Sequence, residues 1–155
     1  MAKKTEKIYW DACCFLAILN KEPWAKTCSD IVNEAKSGEI QMFISPLTMA
    51  ETVRPKGSNA PISRGIRDQV LAFFENDYIT LIPFSREIAR ASLEYCWDYG
   101  LRARDALHLA FAVHAECDAL ETIDGNLIKD ISGHGSIQVR EPKGTGQIKL
   151  PENVT

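Results

Sequence analysis

Short apolar runs of strand type alternate with longer segments of helical periodicity along this chain, and this alternation restricts the fold more than any other feature. The apolar runs predict strands over residues 8–10, 41–44, 79–82, 118–123 and 136–139. The spacing of apolar residues between them predicts helices over 12–20, 24–36, 45–51, 66–74, 85–99 and 106–115. Strands that alternate with helices form βαβ units. We therefore expect an α/β fold with a mainly parallel sheet that is covered on both faces.

The length and composition indicate one folded domain. The chain has 155 residues, of which 45% are hydrophobic and 25% charged, and it contains no internal repeat or linker-like segment. We expect a single domain over residues 1–141 and a polar C-terminal tail over 142–155. The formal net charge of −3 excludes a generally basic surface. Any contact with nucleic acid must then depend on local basic patches.

The N-terminal region carries no apolar run long enough for a signal peptide, and no segment has the roughly 18 apolar residues of a membrane span. We expect a cytoplasmic protein that does not enter the membrane. The five cysteines form no C-x-x-C pair, and neither they nor the three histidines have the spacing of a zinc site. Reduced, mostly buried thiols are the simplest interpretation.

Four acidic residues occupy positions where a ligand site is expected. Asp11 and Asp124 follow apolar strand runs, and ligands of open parallel sheets bind beyond the carboxyl ends of the strands. Glu51 and Asp105 share short helices with small and apolar residues, where a lone acid is costly unless it meets a cation. Each acid also has a simpler explanation as a turn former, helix cap or exposed side chain. The spacing alone leaves both interpretations open.

Four carboxylates that converge would repel one another unless divalent cations compensate their charge. A ligand set of oxygen atoms alone favours Mg²⁺ or Mn²⁺ over zinc. Such ions activate water and stabilise the charge that develops during attack on a phosphodiester. If the four acids meet, they predict metal-dependent phosphodiester hydrolysis.

Four segments resemble the motifs of PIN-domain nucleases in order and approximate spacing, and most closely those of VapC-type toxins. The segments are residues 8–11 (IYWD), 45–51 (SPLTMAE), 104–110 (RDALHLA) and 122–124 (TID). The resemblance spans roughly residues 7–131, and the DALHLA helix is its most specific part. It implies a three-layer α/β/α sandwich with a four- or five-stranded, mainly parallel sheet.

The resemblance also implies an endoribonuclease that uses Mg²⁺ or Mn²⁺ and that is the toxin of a type II toxin–antitoxin pair. Asp11, Glu51, Asp105 and Asp124 would be the catalytic, metal-binding acids, with Thr122 as a supporting hydroxyl. Asp11, Asp105 and Asp124 would ligate the metal directly, and Glu51 either directly or through water. An antitoxin protein and a second copy of the chain would be the protein partners.

RNA requires positive charge near these acids, and we consider the arginines and lysine that flank the acidic segments. They are Arg54, Lys56, Arg64 and Arg67 around the 54–65 loop, and Arg102 and Arg104 before Asp105. A solvated surface role is an equally ordinary explanation for any one of them. His108 lies on nearly the same helix face as Asp105, and we expect a packed, hydrogen-bonded histidine rather than a catalytic one.

Two other function classes share features with this sequence. In a non-catalytic PIN-fold protein that binds RNA or a partner, the acids would persist without performing chemistry, but the complete set of four argues for an enzyme. A receiver-like phosphotransfer domain also uses strand-end aspartates. That chemistry additionally needs an acidic pair beside the phosphoacceptor and a lysine at a strand end, and no predicted strand of this sequence ends in lysine.

Overall fold

A computed structural model describes residues 4–52 and 61–143 and contains a five-stranded parallel sheet. The strands are β1 (Glu6–Trp10), β2 (Ile40–Ile44), β3 (Ile79–Leu81), β4 (Ala119–Glu121) and β5 (Gln138–Arg140). The helices are α1 (Ala12–Leu19), α2 (Ala25–Lys36), α3 (Pro46–Glu51), α4 (Arg64–Phe74), α5 (Arg86–Tyr99), α6 (Ala103–His114) and α7 (Gly125–Ile131). The predicted α/β fold with a parallel sheet is confirmed.

The strand order is β3-β2-β1-β4-β5, and every neighbouring pair is parallel. From β1 the chain moves outward through β2 to β3, and it then returns to pair β4 with the other side of β1. The strand order therefore reverses between β1 and β4. In open α/β sheets a crevice forms at such a reversal, outside the carboxyl ends of the two strands.

Both faces of the sheet are covered by helices, which gives the three layers. Alternating side chains of β1 point to opposite faces: Ile8 and Trp10 join one apolar cluster, and Tyr9 joins the other. The first cluster packs against α1, α2 and α4, and the second against α5, α6 and α7. Burial on both faces explains why the strands read as short continuous apolar runs.

Several element boundaries differ from the sequence-based expectations by one or more residues, and three differences concern the segments that carry Asp105 and Asp124. Helix α6 begins at Ala103, two residues before Asp105, so that this acid lies in the first turn. Strand β4 ends at Glu121, because Asp124 turns the chain into α7. The sequence pattern does not predict α7 at all, since Asp-Gly at its start is also an ordinary turn signal.

Helix α5 ends where predicted, at Tyr99, and is followed by the cap residue Gly100, whose φ of 68° is accessible to glycine at little cost. All five cysteines have free thiols. Among the described residues, no helix is both long and apolar enough to cross a membrane.

Lys143 N–H donates to Glu121 Oε2 at 2.9 Å, so the chain still contacts β4 at residue 143. Most of the predicted tail, residues 144–155, lies outside the described residues, and the boundary after residue 141 stays a prediction.

Candidate active site at the β1–β4 crevice

Asp11 directly follows β1 and lies at the point where the strand order reverses. It is the N-cap of α1, and its Oδ1 accepts a hydrogen bond from Cys13 N–H at 3.2 Å. The side chain is fully buried, and Thr122 Oγ1 donates to its Oδ2 at 2.7 Å. Burial raises the pKa of Asp11 above its usual range, against the lowering effects of His108 and Thr122. A buried carboxylate whose charged form is disfavoured is a site where a cation would be stabilising.

Thr122 links the two strand ends. Its hydroxyl donates to Asp11 and accepts a hydrogen bond from Asp124 N–H at 3.1 Å. The Asp124 side chain is the N-cap of α7, and its Oδ1 accepts from Asn126 N–H at 3.0 Å and Leu127 N–H at 3.4 Å. Asp11 and Asp124 are thus helix caps, which is the alternative to a ligand site that the sequence left open. They also lie beside the same crevice.

Glu51 and Asp105 lie on α3 and α6 and share a contact with one arginine. Arg104 Nε and Nη2 donate to Glu51 Oε1 and Oε2 at 2.7 and 2.8 Å, which is a bidentate ion pair. Arg104 Nη1 is also 3.8 Å from Asp105 Oδ1. Burial opposes ionisation of Glu51, but hydrogen bonds from His108 and Arg104 outweigh it and lower its pKa to about 2. Burial raises the pKa of Asp105, and Arg104 partly offsets this rise.

His108 is fully buried and hydrogen-bonded on both ring nitrogens, as expected from the sequence. Its Nδ1 lies 2.7 Å from Tyr9 Oη, and its Nε2 lies 3.4 Å from Glu51 Oε2. Tyr9 Oη also lies 2.7 Å from Ser45 Oγ, and Thr48 Oγ1 donates to the Trp10 carbonyl at 2.9 Å. This buried polar network joins β1, α3 and α6 directly behind the acids.

The network is the part of the site that sequence reasoning missed. A signal for it exists: Ser45 and Thr48 form a capping box, in which each side chain bonds the other residue's backbone N–H. Tyr9 is a polar-tipped residue between apolar neighbours on a strand that is buried on both faces, and its hydroxyl therefore needs a partner.

The four predicted acids therefore form two hydrogen-bonded groups on neighbouring elements. Asp11 and Asp124 are joined through Thr122, and Glu51 and Asp105 through Arg104. The groups lie within electrostatic range, because the charge on Glu51 raises the pKa of Asp11 and that on Asp124 raises the pKa of Asp105. In residues 4–52 and 61–143, no three His, Cys, Asp or Glu side chains are already arranged to hold a metal ion. The chemistry of the donor set, which consists of carboxylate oxygens around a buried aspartate, nevertheless suits Mg²⁺ or Mn²⁺.

A cleft opens beside these acids. Its lining combines Asp124 and Arg104 with residues of α1, of the turn that follows α1 and of the segment around the start of α7, namely Cys13, Leu16, Asn20, Glu22, Ile123, Gly125 and Asn126. Burial and the nearby carboxylate of Asp11 raise the pKa of the Cys13 thiol to about 12. At neutral pH the thiol is therefore protonated and is a poor nucleophile.

The predicted RNA-binding residues are placed unevenly. Arg104 lines the cleft, and Arg102 is exposed just before α6. Arg64 and Arg67 are exposed on α4, and Arg67 Nε donates to the Ile62 carbonyl at 2.9 Å. Arg54 and Lys56 lie outside the described residues. Among these side chains, Arg104 therefore has the most direct structural connection to the acids.

Comparison with known proteins identifies the family. The family model for the PIN domain matches residues 8–132, which is most of the chain. The chain belongs to the PIN-domain family. All four acids and Thr122 of this PIN domain lie inside the matched region. A search of the curated proteins gives no match to the sequence.

Three solved structures share the fold of this PIN domain at low sequence identity. A toxin–antitoxin complex from Klebsiella pneumoniae contains a chain with 18% identity and a TM-score of 0.59, covering 84% of this chain and 94% of that one. VapC20 of Mycobacterium tuberculosis, described as a toxin that cleaves the sarcin-ricin loop, has 12% identity and a TM-score of 0.63, with 84% and 98% covered. PAE2754 from Pyrobaculum aerophilum has 14% identity and a TM-score of 0.54, with 88% and 83% covered. At these identities the likeness establishes the fold.

Proposed function

We propose that this PIN domain is an endoribonuclease that hydrolyses RNA phosphodiester bonds with Mg²⁺ or Mn²⁺. The observation that carries the proposal is the hydrogen-bonded unit of Asp11, Thr122 and Asp124 beside the β1–β4 crevice. Two strand ends bring two carboxylates there, and Asp105 and Glu51 approach from the neighbouring helices. We propose these four acids as the metal-binding and catalytic residues.

The roles of the protein groups follow from their contacts. A bound divalent ion would supply an activated water and stabilise negative charge on the scissile phosphate. Thr122 holds the Asp11 carboxylate in one orientation, and the α1 backbone supports it through Cys13 N–H. The guanidinium of Arg104, at the edge of the cleft, is the group we assign to phosphate contact.

Cleavage of a mixed RNA sample by the purified chain, with Mg²⁺, Mn²⁺ or EDTA, tests the proposal. We expect cleavage with either ion, none with EDTA, and a loss of at least about a hundredfold in Asp124→Asn. Asp98→Asn, which neutralises an exposed acid on α5, is the matched control and should cut like the parent. If Asp124→Asn cleaves RNA at the parent rate, Asp124 has no catalytic role.

A non-catalytic RNA-binding or partner-binding PIN domain is the second candidate, and the Glu51–Arg104 pair favours it, because that pair neutralises one of the four acids. The same assay separates the two functions. If the chain binds RNA but does not cleave it with Mg²⁺, Mn²⁺ or EDTA, the non-catalytic function is favoured.

We further propose that the chain is the toxin of a type II toxin–antitoxin pair acting on RNA in the cytoplasm. Similar folds occur in a toxin–antitoxin complex and in a toxin described as cleaving the sarcin-ricin loop, which supports this assignment. Growth arrest on expression of the chain, relieved by co-expression of a small protein encoded beside it, is the expected result. Growth arrest by Asp105→Asn would contradict a nuclease toxin.

A homodimer is proposed from apolar side chains left exposed on and before α5. Trp97 is 72% exposed, and Phe84 and Leu93 are also exposed. Sedimentation equilibrium should report a dimer for the parent and a monomer for Trp97→Ser. A monomeric parent would exclude this assembly.

A further inference from the structure

Arg104 lies as a cation between two of the four proposed metal-binding acids. Its guanidinium makes two hydrogen bonds to Glu51 and approaches Asp105 within 3.8 Å. Arginine is a fixed cation at any physiological pH, and a bidentate carboxylate pair is among the strongest charge-assisted contacts in proteins. Arg104 therefore already supplies part of the positive charge that a divalent ion would bring to Glu51 and Asp105.

Both oxygens of Glu51 are engaged in this arrangement. Arg104 Nε bonds Oε1, and Oε2 is shared between Arg104 Nη2 and His108 Nε2. His108 is in turn fixed through its other nitrogen by Tyr9. These three contacts leave one lone-pair position of the Glu51 carboxylate, on Oε1, and the positive charge of the adjacent guanidinium opposes a metal ion there. A metal ion therefore binds Glu51 more strongly once Arg104 gives up at least one of these hydrogen bonds.

We propose that Arg104 is the internal counter-ion of the site, and that a divalent ion must compete with it for Glu51. The side chain of Arg104 is 45% exposed and borders the cleft, so a guanidinium released from Glu51 can turn toward an RNA phosphate. Metal binding and RNA binding would then strengthen each other, because each favours the state in which Arg104 has left Glu51. This inference rests on the proposed metal site.

The first test measures Mn²⁺ affinity without RNA, from the electron paramagnetic resonance signal of free Mn²⁺. Removing the competitor in Arg104→Gln should tighten Mn²⁺ binding at least about tenfold, since one charge-assisted hydrogen bond contributes a factor of this size. Arg104→Lys keeps the charge but not the bidentate geometry, and its Mn²⁺ affinity should lie between those of the parent and Arg104→Gln. Arg102→Gln is the matched control, because Arg102 is an exposed arginine two positions away, and it should change the affinity by less than about twofold. Unchanged or weaker binding in Arg104→Gln overturns the proposal.

The second test separates competition for Glu51 from simple repulsion between Arg104 and the metal. In a Glu51→Gln background there is no carboxylate to compete for, and Arg104→Gln should have a much smaller effect there. The proposal requires its effects in the two backgrounds to differ by at least about fivefold in Mn²⁺ affinity. A smaller difference means that Arg104 acts only as a nearby charge and overturns the proposal. Melting curves in EDTA verify that each variant is folded before its affinity is compared.

The outcomes also separate this inference from the proposed function. Mn²⁺ binding that is lost in Asp11→Asn but insensitive to Arg104→Gln leaves the metal site intact and refutes the counter-ion role. If neither the parent nor Arg104→Gln binds Mn²⁺ through Asp11, both the metal site and the counter-ion role are refuted.

Discussion

The Thr122 hydroxyl donates a 2.7 Å hydrogen bond to Asp11 and so joins the ends of β4 and β1, which are 111 residues apart in sequence. The same oxygen accepts the backbone N–H of Asp124. One side chain therefore sets the relative position of two proposed catalytic acids. Its contribution can be measured separately from theirs.

Thr122→Val keeps the shape of the side chain but removes the hydroxyl. The buried Asp11 carboxylate loses a donor, and the Asp124 N–H loses its acceptor. We expect the free energy of unfolding to fall by about 1–3 kcal/mol and RNA cleavage to fall at least about tenfold. Urea unfolding and initial cleavage rates measure the two effects. Thr122→Ser restores the hydroxyl and should recover most of both; equal losses in the two variants would assign the effect to packing.

Asp105→Asn should reduce RNA cleavage at least about a hundredfold while leaving the fold intact, because charge stabilisation is a large term at such sites. Asp130 is an exposed acid of α7 whose charge already raises the pKa of Asp105, which makes Asp130→Asn a demanding control. Initial rates should be unchanged in that control. A similar loss in both variants would indicate a general effect of negative charge rather than a role for Asp105.

Asp11→Asn tests whether the acids converge, without using any substrate. Burial and the charge of Glu51 both disfavour the Asp11 carboxylate, so a neutral amide should raise the melting temperature in EDTA. The expected rise is about 2–4 °C, which corresponds to about 1 kcal/mol for a chain of this size. Excess Mn²⁺ should stabilise the parent and have little effect on the variant. Superimposable metal responses of the two proteins would mean that Asp11 holds no metal.

Tyr9→Phe removes the hydroxyl that contacts Ser45, Thr48 and His108 behind the site. Leaving these buried groups without a partner should lower the free energy of unfolding by about 1–3 kcal/mol. Cleavage should fall less than in Asp105→Asn, because Tyr9 touches Glu51 only through His108. Chemical denaturation and initial rates test this order. A larger activity loss in Tyr9→Phe than in Asp105→Asn would contradict the assignment of Tyr9 as a supporting residue.

The sheet was predictable because each strand is a local pattern. A buried parallel strand reads as a short apolar run, and the change to helical spacing after Asp11 marks where β1 ends. The same reasoning failed at α7, which is only seven residues long and begins at an Asp-Gly pair that also signals a turn. An Asp-Gly pair is found both in turns and at helix starts, so the local sequence around Asp124 could not distinguish these two structures.

The pairing of Glu51 with Arg104 was beyond prediction for a different reason. The two residues are 53 positions apart, and their contact depends on how α3 and α6 are oriented on the sheet. The sequence indicates Arg104 as a phosphate-binding residue, because it directly precedes Asp105. Sequence spacing does not indicate which of the nearby acids the long side chain of Arg104 contacts.

The central position of β1 has a consequence for how the site tolerates local unfolding. Both edges of β1 are hydrogen-bonded, whereas β3 and β5 are three-residue strands at the sheet margins. Amide hydrogen exchange should therefore be slowest around β1 and should approach the rate set by global unfolding there. Asp11, which directly follows β1, would then be attached to the last part of the described structure to open. Glu51 terminates a six-residue helix, and its amides should exchange earlier. We therefore expect Asp11 to stay fixed by β1 while α3, which carries Glu51, opens at lower energy.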